Sequence, residues 1–168
     1  EGFQIDSGHL SPRFITDERK GSGRYTDALV LVTDHVIDAV EEMLPVLEVA
    51  AREKRPLVVV ADDVSGQALA ALVLNAVRGN MKVNAIKAPR YGEERRNILD
   101  DLAISVGATF ITRESGMKIT DLKRKDLGFA KMVESTSKWA AFVGGNGDPE
   151  LIKNRIENLK AEIDRTSN

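Results

Sequence analysis

A chain of 168 residues is long enough to bury a sizeable core and reads as a single domain over 1–168. Its formal net charge of −2, with both signs intermixed through the 30% of residues that are charged, argues against a nucleic-acid module built on a basic surface. No apolar run approaches a membrane span, and the lack of cysteine excludes disulfides and thiolate metal sites. With aromatics at 5%, the core must be mainly aliphatic. The chain opens at Glu1 on an apparent strand with no secretory or transit segment, as expected of a fragment of something longer.

In chain order, Gly2 to Asp6 alternates weakly, as a short strand does. Gly8 to Ile15 follows as a turn or extended segment, because Pro12 rules out a regular helix or central strand there. Asp17 to Tyr25 is polar with two glycines, a loop or hairpin tip, and Ala28 to Thr33 is a strand. Val36 to Met43 reads as a short helix leading into Pro45, with Pro45 in the first turn of the next helix. Lys54-Arg55-Pro56 ends that helix, and Leu57 to Ala61 is a β-branched run typical of a strand buried on both faces. Ser65 or Asp63 is expected to cap a second helix that Gly79 closes.

That second helix is unusual. From Ala68 to Val77 its only polar side chain is Asn75, whereas a surface helix carries one apolar stripe and one polar face. Either it is buried on every side, or one flank meets solvent as an apolar patch of the kind that marks a binding site. The preceding helix has a milder form of the anomaly. Val46, Val49 and Ala50 are expected inward, leaving Leu44 and Leu47 turned partly the other way.

Lys82 to Lys87 alternates as a strand, Ala88 to Gly92 is a turn, and Glu93 to Val106 is a helix with Ile98, Leu99, Leu102 and Val106 at helical spacing. Gly107 caps it, and Ala108 to Thr112 is a further strand. Ser115 to Met117 and the basic run Lys123 to Lys125 fall in solvated loops. Phe129 to Glu134 and Trp139 to Val143 flank a hairpin turn, and Gly144 to Gly147 is a loop. Asp148-Pro149-Glu150 starts a last helix carrying Ile152, Ile156, Leu159 and Ile163 on one face and ending near Asp164. Strands alternating with helices in the middle favour a parallel α/β sheet, with antiparallel strands added from both ends.

Signals for catalysis are weak. No glycine-rich stretch ends in Gly-Lys-Ser/Thr, and Gly145-Asn146-Gly147 only begins a dinucleotide fingerprint. His9 and His35 are the only histidines, and no serine sits in a nucleophile elbow. Asp62-Asp63 at the end of a buried strand, with Lys87, is the best enzyme-like set, suited to Mg²⁺ as in a phosphate-accepting receiver domain. No separate acceptor aspartate stands on a strand between them, and helix capping explains the acidic pair.

Several stretches together carry a resemblance. They are Glu1 to Asp6, Gly8-x-Leu10-Ser11-Pro12-x-Phe14, Glu42-Met43-Leu44-Pro45-Val46-Leu47-Glu48, Pro56-Leu57 and Ala61-x-Asp63-Val64-x-Gly66-x-Ala68-Leu69-Ala70. Val77-Arg78-Gly79, Val83 to Pro89, Gly92, Arg95-Arg96 and Gly116-Met117 continue the series in order. The chain thereby resembles the apical domain of a group I, GroEL-type chaperonin over nearly its whole length, with only a loose match from Lys138 onward.

That resemblance implies a three-layer β/β/α swivelling α/β fold at the rim of a heptameric ring. It implies capture of unfolded polypeptides, and of the mobile loop of a co-chaperonin, on an apolar lip of two helices and the segment below them. Residue by residue, the lip falls on Leu44 and Leu47, on Leu69, Val73 and Leu74, and on Ser11 and Phe14 in the lower segment. His9 and Arg13 stand there in place of the family's usual tyrosines, making the lip more polar. No cofactor, nucleic acid or membrane is expected for the fragment, which should bind without turnover; ATP and Mg²⁺ are expected elsewhere in the full-length subunit. The implied location is the bacterial cytoplasm, mitochondrial matrix or plastid stroma. The alternatives are an α/β enzyme using Asp62, Asp63 and Lys87, and a scaffold whose apolar helix is simply buried.

Overall fold

The computed structural model describes residues 2–147 and 149–157. The expected positions Glu1, Asp148, Leu159, Ile163 and Asp164 lie outside the described residues. Strand β1 (Gly2–Ile5) leads through a 3₁₀ turn at Pro12–Phe14 to the long strand β2 (Gly23–Thr33). Then come β3 (Val36–Ile37), α1 (Val40–Glu53), β4 (Leu57–Ala61), β5 (Asp63–Val64), α2 (Gly66–Arg78), β6 (Val83–Lys87) and α3 (Gly92–Val106). Strands β7 (Phe110–Ile111), β8 (Gly128–Ser135) and β9 (Ala140–Gly145) follow, and residues 149–157 are helical.

Among the described residues one mixed sheet runs β1-β9-β8-β2-β4-β6, with β7 beside the end of β2, and β3 pairs separately with β5. The β2, β4 and β6 ladders are parallel, whereas β8, β9 and β1 join antiparallel. Alternation along the strands sends odd and even positions to opposite faces. Leu29, Leu31, Leu57 and Val59 pack with Met43, Val46, Leu47, Ala50, Ala68 and Leu72 of α1 and α2. Val30, Val32, Val58 and Val60 pack with Leu99, Leu102, Ala103 and Val106 of α3 on the other side. The expected α/β class, central parallel strands and flanking antiparallel strands are all present.

Several local expectations are corrected. The strand expected from Ala28 begins at Gly23, because β8 pairs with Gly23 to Thr26 and fixes this polar stretch as sheet. Val36–Ile37 is a strand, paired with Asp63–Val64, and the helix starts at Val40. Glu42 accepts the Ala39 N–H there, half of a capping box. Pro45 therefore lies inside α1, in its second turn. Neither Ser65 nor Asp63 caps α2 with its side chain. The Asp63 carboxylate accepts from Val64 N at 3.0 Å, and the Asp38 carbonyl accepts the Ala68 N–H in the first turn of α2. Only Phe110–Ile111 of the expected 108–112 strand pairs, and Gly144 and Gly145, expected as loop, end β9. Gly79 closes α2 with φ 71°, the left-handed conformation that glycine adopts without strain.

Candidate binding face

Helix α2 is buried along one stripe and open along another. Ala68 and Leu72 are fully buried, Leu69, Val73 and Ala76 are partly buried against the same core, and Leu74 and Val77 are 48% and 60% exposed. The apolar arc thus continues from the core, over one flank, into solvent. Burial on every side does not describe this helix. Helix α1 packs beside α2 and contributes Leu44, 49% exposed.

Leu47 is corrected: it is 8% exposed and joins the core with Met43, Val46 and Ala50, while Val49 is the residue left half-buried. Helix α1 begins four residues ahead of Leu44, and its inward stripe runs through Met43, Val46, Leu47 and Ala50.

The lower segment lies against α2 and β6. Its Phe14 ring is 1% exposed, part of the core and turned away from solvent. The Tyr25 hydroxyl donates to the Phe14 carbonyl, and burial pushes that phenol well above its usual range. Ser11 is half-buried and its hydroxyl accepts from Arg13 N at 3.1 Å, capping the 3₁₀ turn, while the Arg13 side chain is exposed. His9 is 8% exposed. Of the nine positions singled out in the sequence, Leu44, Leu69, Val73, Leu74, Ser11 and Arg13 reach the surface in whole or part. His9, Phe14 and Leu47 do not. Val77 belongs to the open apolar arc and was missed, although its four-residue spacing from Val73 placed it on that flank.

A segment with no periodicity of its own is held here by tertiary contacts. Gly8 abuts the turn after β8 so closely that a Cβ there would lie 1.8 Å from the Thr136 carbonyl oxygen. His9 N–H donates to Thr136 O at 3.0 Å and Leu10 N–H to Ala85 O at 2.9 Å, so the segment covers the outer edge of β6. Ser135 Oγ lies 2.9 Å from His9 Nδ1 and accepts from Asn84 Nδ2 at 2.8 Å.

The acidic pair is differently engaged. Asp62 sits between Arg95 and Arg113, each 3.4 Å away, and Asp34 accepts Arg113 N at 2.8 Å. These contacts tie α3 and the loop after β7 to the strand ends. With Asp62 paired to two guanidinium groups, Asp63 turned to the Val64 amide and Lys87 exposed, each of the three is engaged separately. No group of three or more His, Asp or Glu side chains positioned to hold a metal occurs among the described residues. No helix among them is long and apolar enough to cross a membrane.

No family model matches the chain. It is 44% identical over 163 residues to a chaperonin GroEL of Methanoregula boonei. The alignment takes in 97% of this chain and 30% of that protein, so the chain spans about a third of its relative's length. The likeness to GroEL-type chaperonins read from the residues is therefore borne out along nearly the entire chain.

Proposed function

We propose that the chain is the polypeptide-binding apical domain of a chaperonin subunit, a single unit over 1–168 with the swivelling β/β/α fold of that domain. The observation that carries this reading is the open apolar arc of α2, with Leu74 and Val77 about half in solvent beside Leu44 of α1. A soluble domain pays to keep such a surface wet unless a partner covers it. Full burial of a Leu or Val side chain contributes ~1.5–3 kcal/mol. Covering the exposed halves of these three gives roughly 2–4 kcal/mol gross, with Leu69 and Val73 adding less. Ordering costs offset part of that, which suits reversible, sequence-tolerant capture of extended or helical apolar segments.

In this reading the occupants are unfolded polypeptides and the mobile loop of a co-chaperonin. Ser11 and Arg13 form the polar lower rim, and His9, Phe14 and Leu47 support the face from beneath. The domain binds without turnover. ATP and Mg²⁺ act elsewhere in the full-length subunit, which assembles in a heptameric ring inside a bacterial cell or an organelle.

The test is titration of the chain with a peptide copied from a co-chaperonin mobile loop, beside the Leu44→Ser/Leu74→Ser double variant. Saturable binding by the parent, at least tenfold weaker in a variant with an unchanged melt, is the expected result. Equal binding by both would remove the two-helix face from the mechanism.

A further inference from the structure

The Asn84–Ser135–His9 cluster has no part in the binding face as drawn, yet it holds one end of the segment that borders it. Asn84 belongs to β6, Ser135 ends β8, and all three side chains are buried. Ser135 Oγ accepts the Asn84 amide N–H and keeps a hydroxyl proton of its own; in the Nε2–H tautomer of His9 that proton donates to Nδ1. In that tautomer the imidazole is neutral and Nδ1 carries no proton. A proton added at Nδ1 turns the last bond around, forces the Ser135 hydroxyl proton to another acceptor and places a cation in a buried site.

Among the described residues no salt bridge reaches His9, and Lys138, in the turn that abuts Gly8, is exposed and of like charge. The elements packed on His9 present Asn84 and Ile86 from β6 and Ser135 and Thr136 from the end of β8. Their nearest titratable residues, Lys87 and Glu134, alternate to the opposite sheet face from Asn84 and Ser135. Lys87 is exposed, and Glu134 lies 3.7 Å from Arg24. Just ahead of the segment Asp6 pairs with Arg90 at 3.3 Å, and on the segment Arg13 is exposed.

We infer that His9 is a positioning residue, an acid-labile latch that holds segment 8–15 on the edge of β6 and releases it when the imidazole takes up a proton. Desolvation holds the His9 pKa below its ordinary 6.5, consistent with a site built for the neutral ring. Release frees the Leu10 amide from Ala85 and loosens the cover over Phe14 next to α2. The latch is independent of what the face binds; only its consequence for partners rests on the proposed function.

Histidine NMR and amide exchange on the 168-residue chain test the latch between pH 8 and pH 5. His9 should titrate below 6.5. Protection of the Leu10 amide, taken relative to Val59 in β4, should drop at least tenfold over the same transition. In His9→Gln, which cannot gain a charge, the ratio should stay flat. Ser135→Ala should lower Leu10 protection already at pH 8, with Val59 unchanged. A His9 midpoint at or above 6.5, a flat Leu10 ratio in the parent, or an equal drop in His9→Gln would each overturn the inference. If the latch opens as described while the mobile-loop peptide binds at no pH, the binding role fails and the latch stands.

Discussion

Phe14 and Leu74 look alike in the sequence, large apolar residues at positions matched to a binding lip, but their surroundings assign them opposite work. Phe14 lies in the core, so Phe14→Ala should lower unfolding free energy by about 3–5 kcal/mol in urea titrations. Leu74→Ser removes a half-exposed side chain and should cost under about 1 kcal/mol while weakening peptide capture. The distinction was not legible beforehand. Burial of Phe14 comes from docking of a short aperiodic segment on β6 and α2, and no local pattern reports such docking. His9 was hidden for the same reason: its partner Ser135, and Asn84 bonded in turn to Ser135, are 126 and 75 positions away in the chain.

At the scale of elements, strong periodicity was readable and context-made structure was not. Strand β4, the apolar run of α2 and the inward stripe of α3 are set by their own side chains, and all three stand where the pattern put them. The first half of β2 has a polar loop's composition and becomes sheet only because β8 lies alongside. Val36–Ile37 mimics the start of a helix until β5 pairs with it. The half-buried, half-open character of α2 was one of two readings its composition allowed, since composition does not say how much of a helix its neighbours cover. Its end is well determined. Gly79 has φ 71° and open space around it, so Gly79→Ala should cost about 1 kcal/mol of stability through backbone strain alone, visible as a lowered melting temperature with peptide binding retained.

For the whole molecule, proton linkage gives a directional expectation. Because the folded state holds His9 below its ordinary pKa, the unfolded chain binds more protons as pH falls through 6.5. The contribution is fully present above that value and is lost progressively below it. The urea midpoint should therefore fall further between pH 7.5 and pH 5 in the parent than in His9→Gln. Asp101 acts in the opposite sense: burial raises its carboxyl pKa, opposed by its bond to Arg155, so its desolvation cost is felt once pH rises through the folded value.

The sheet also works as a partition. From Ala28 onward in β2, and along β4, odd apolar positions serve one interior and even positions serve the other, so Leu72 and Leu102 sit in separate clusters although both helices rest on the same strands. Changes on the outer flank of α2 should therefore leave the α3 side undisturbed, and paired substitutions across the sheet should add within a few tenths of a kcal/mol. A surface seated on its own compartment can drift in sequence while the opposite compartment keeps its packing. In evolutionary terms the partition gives the outer flank of α2 a mutational freedom that a single shared core would deny it.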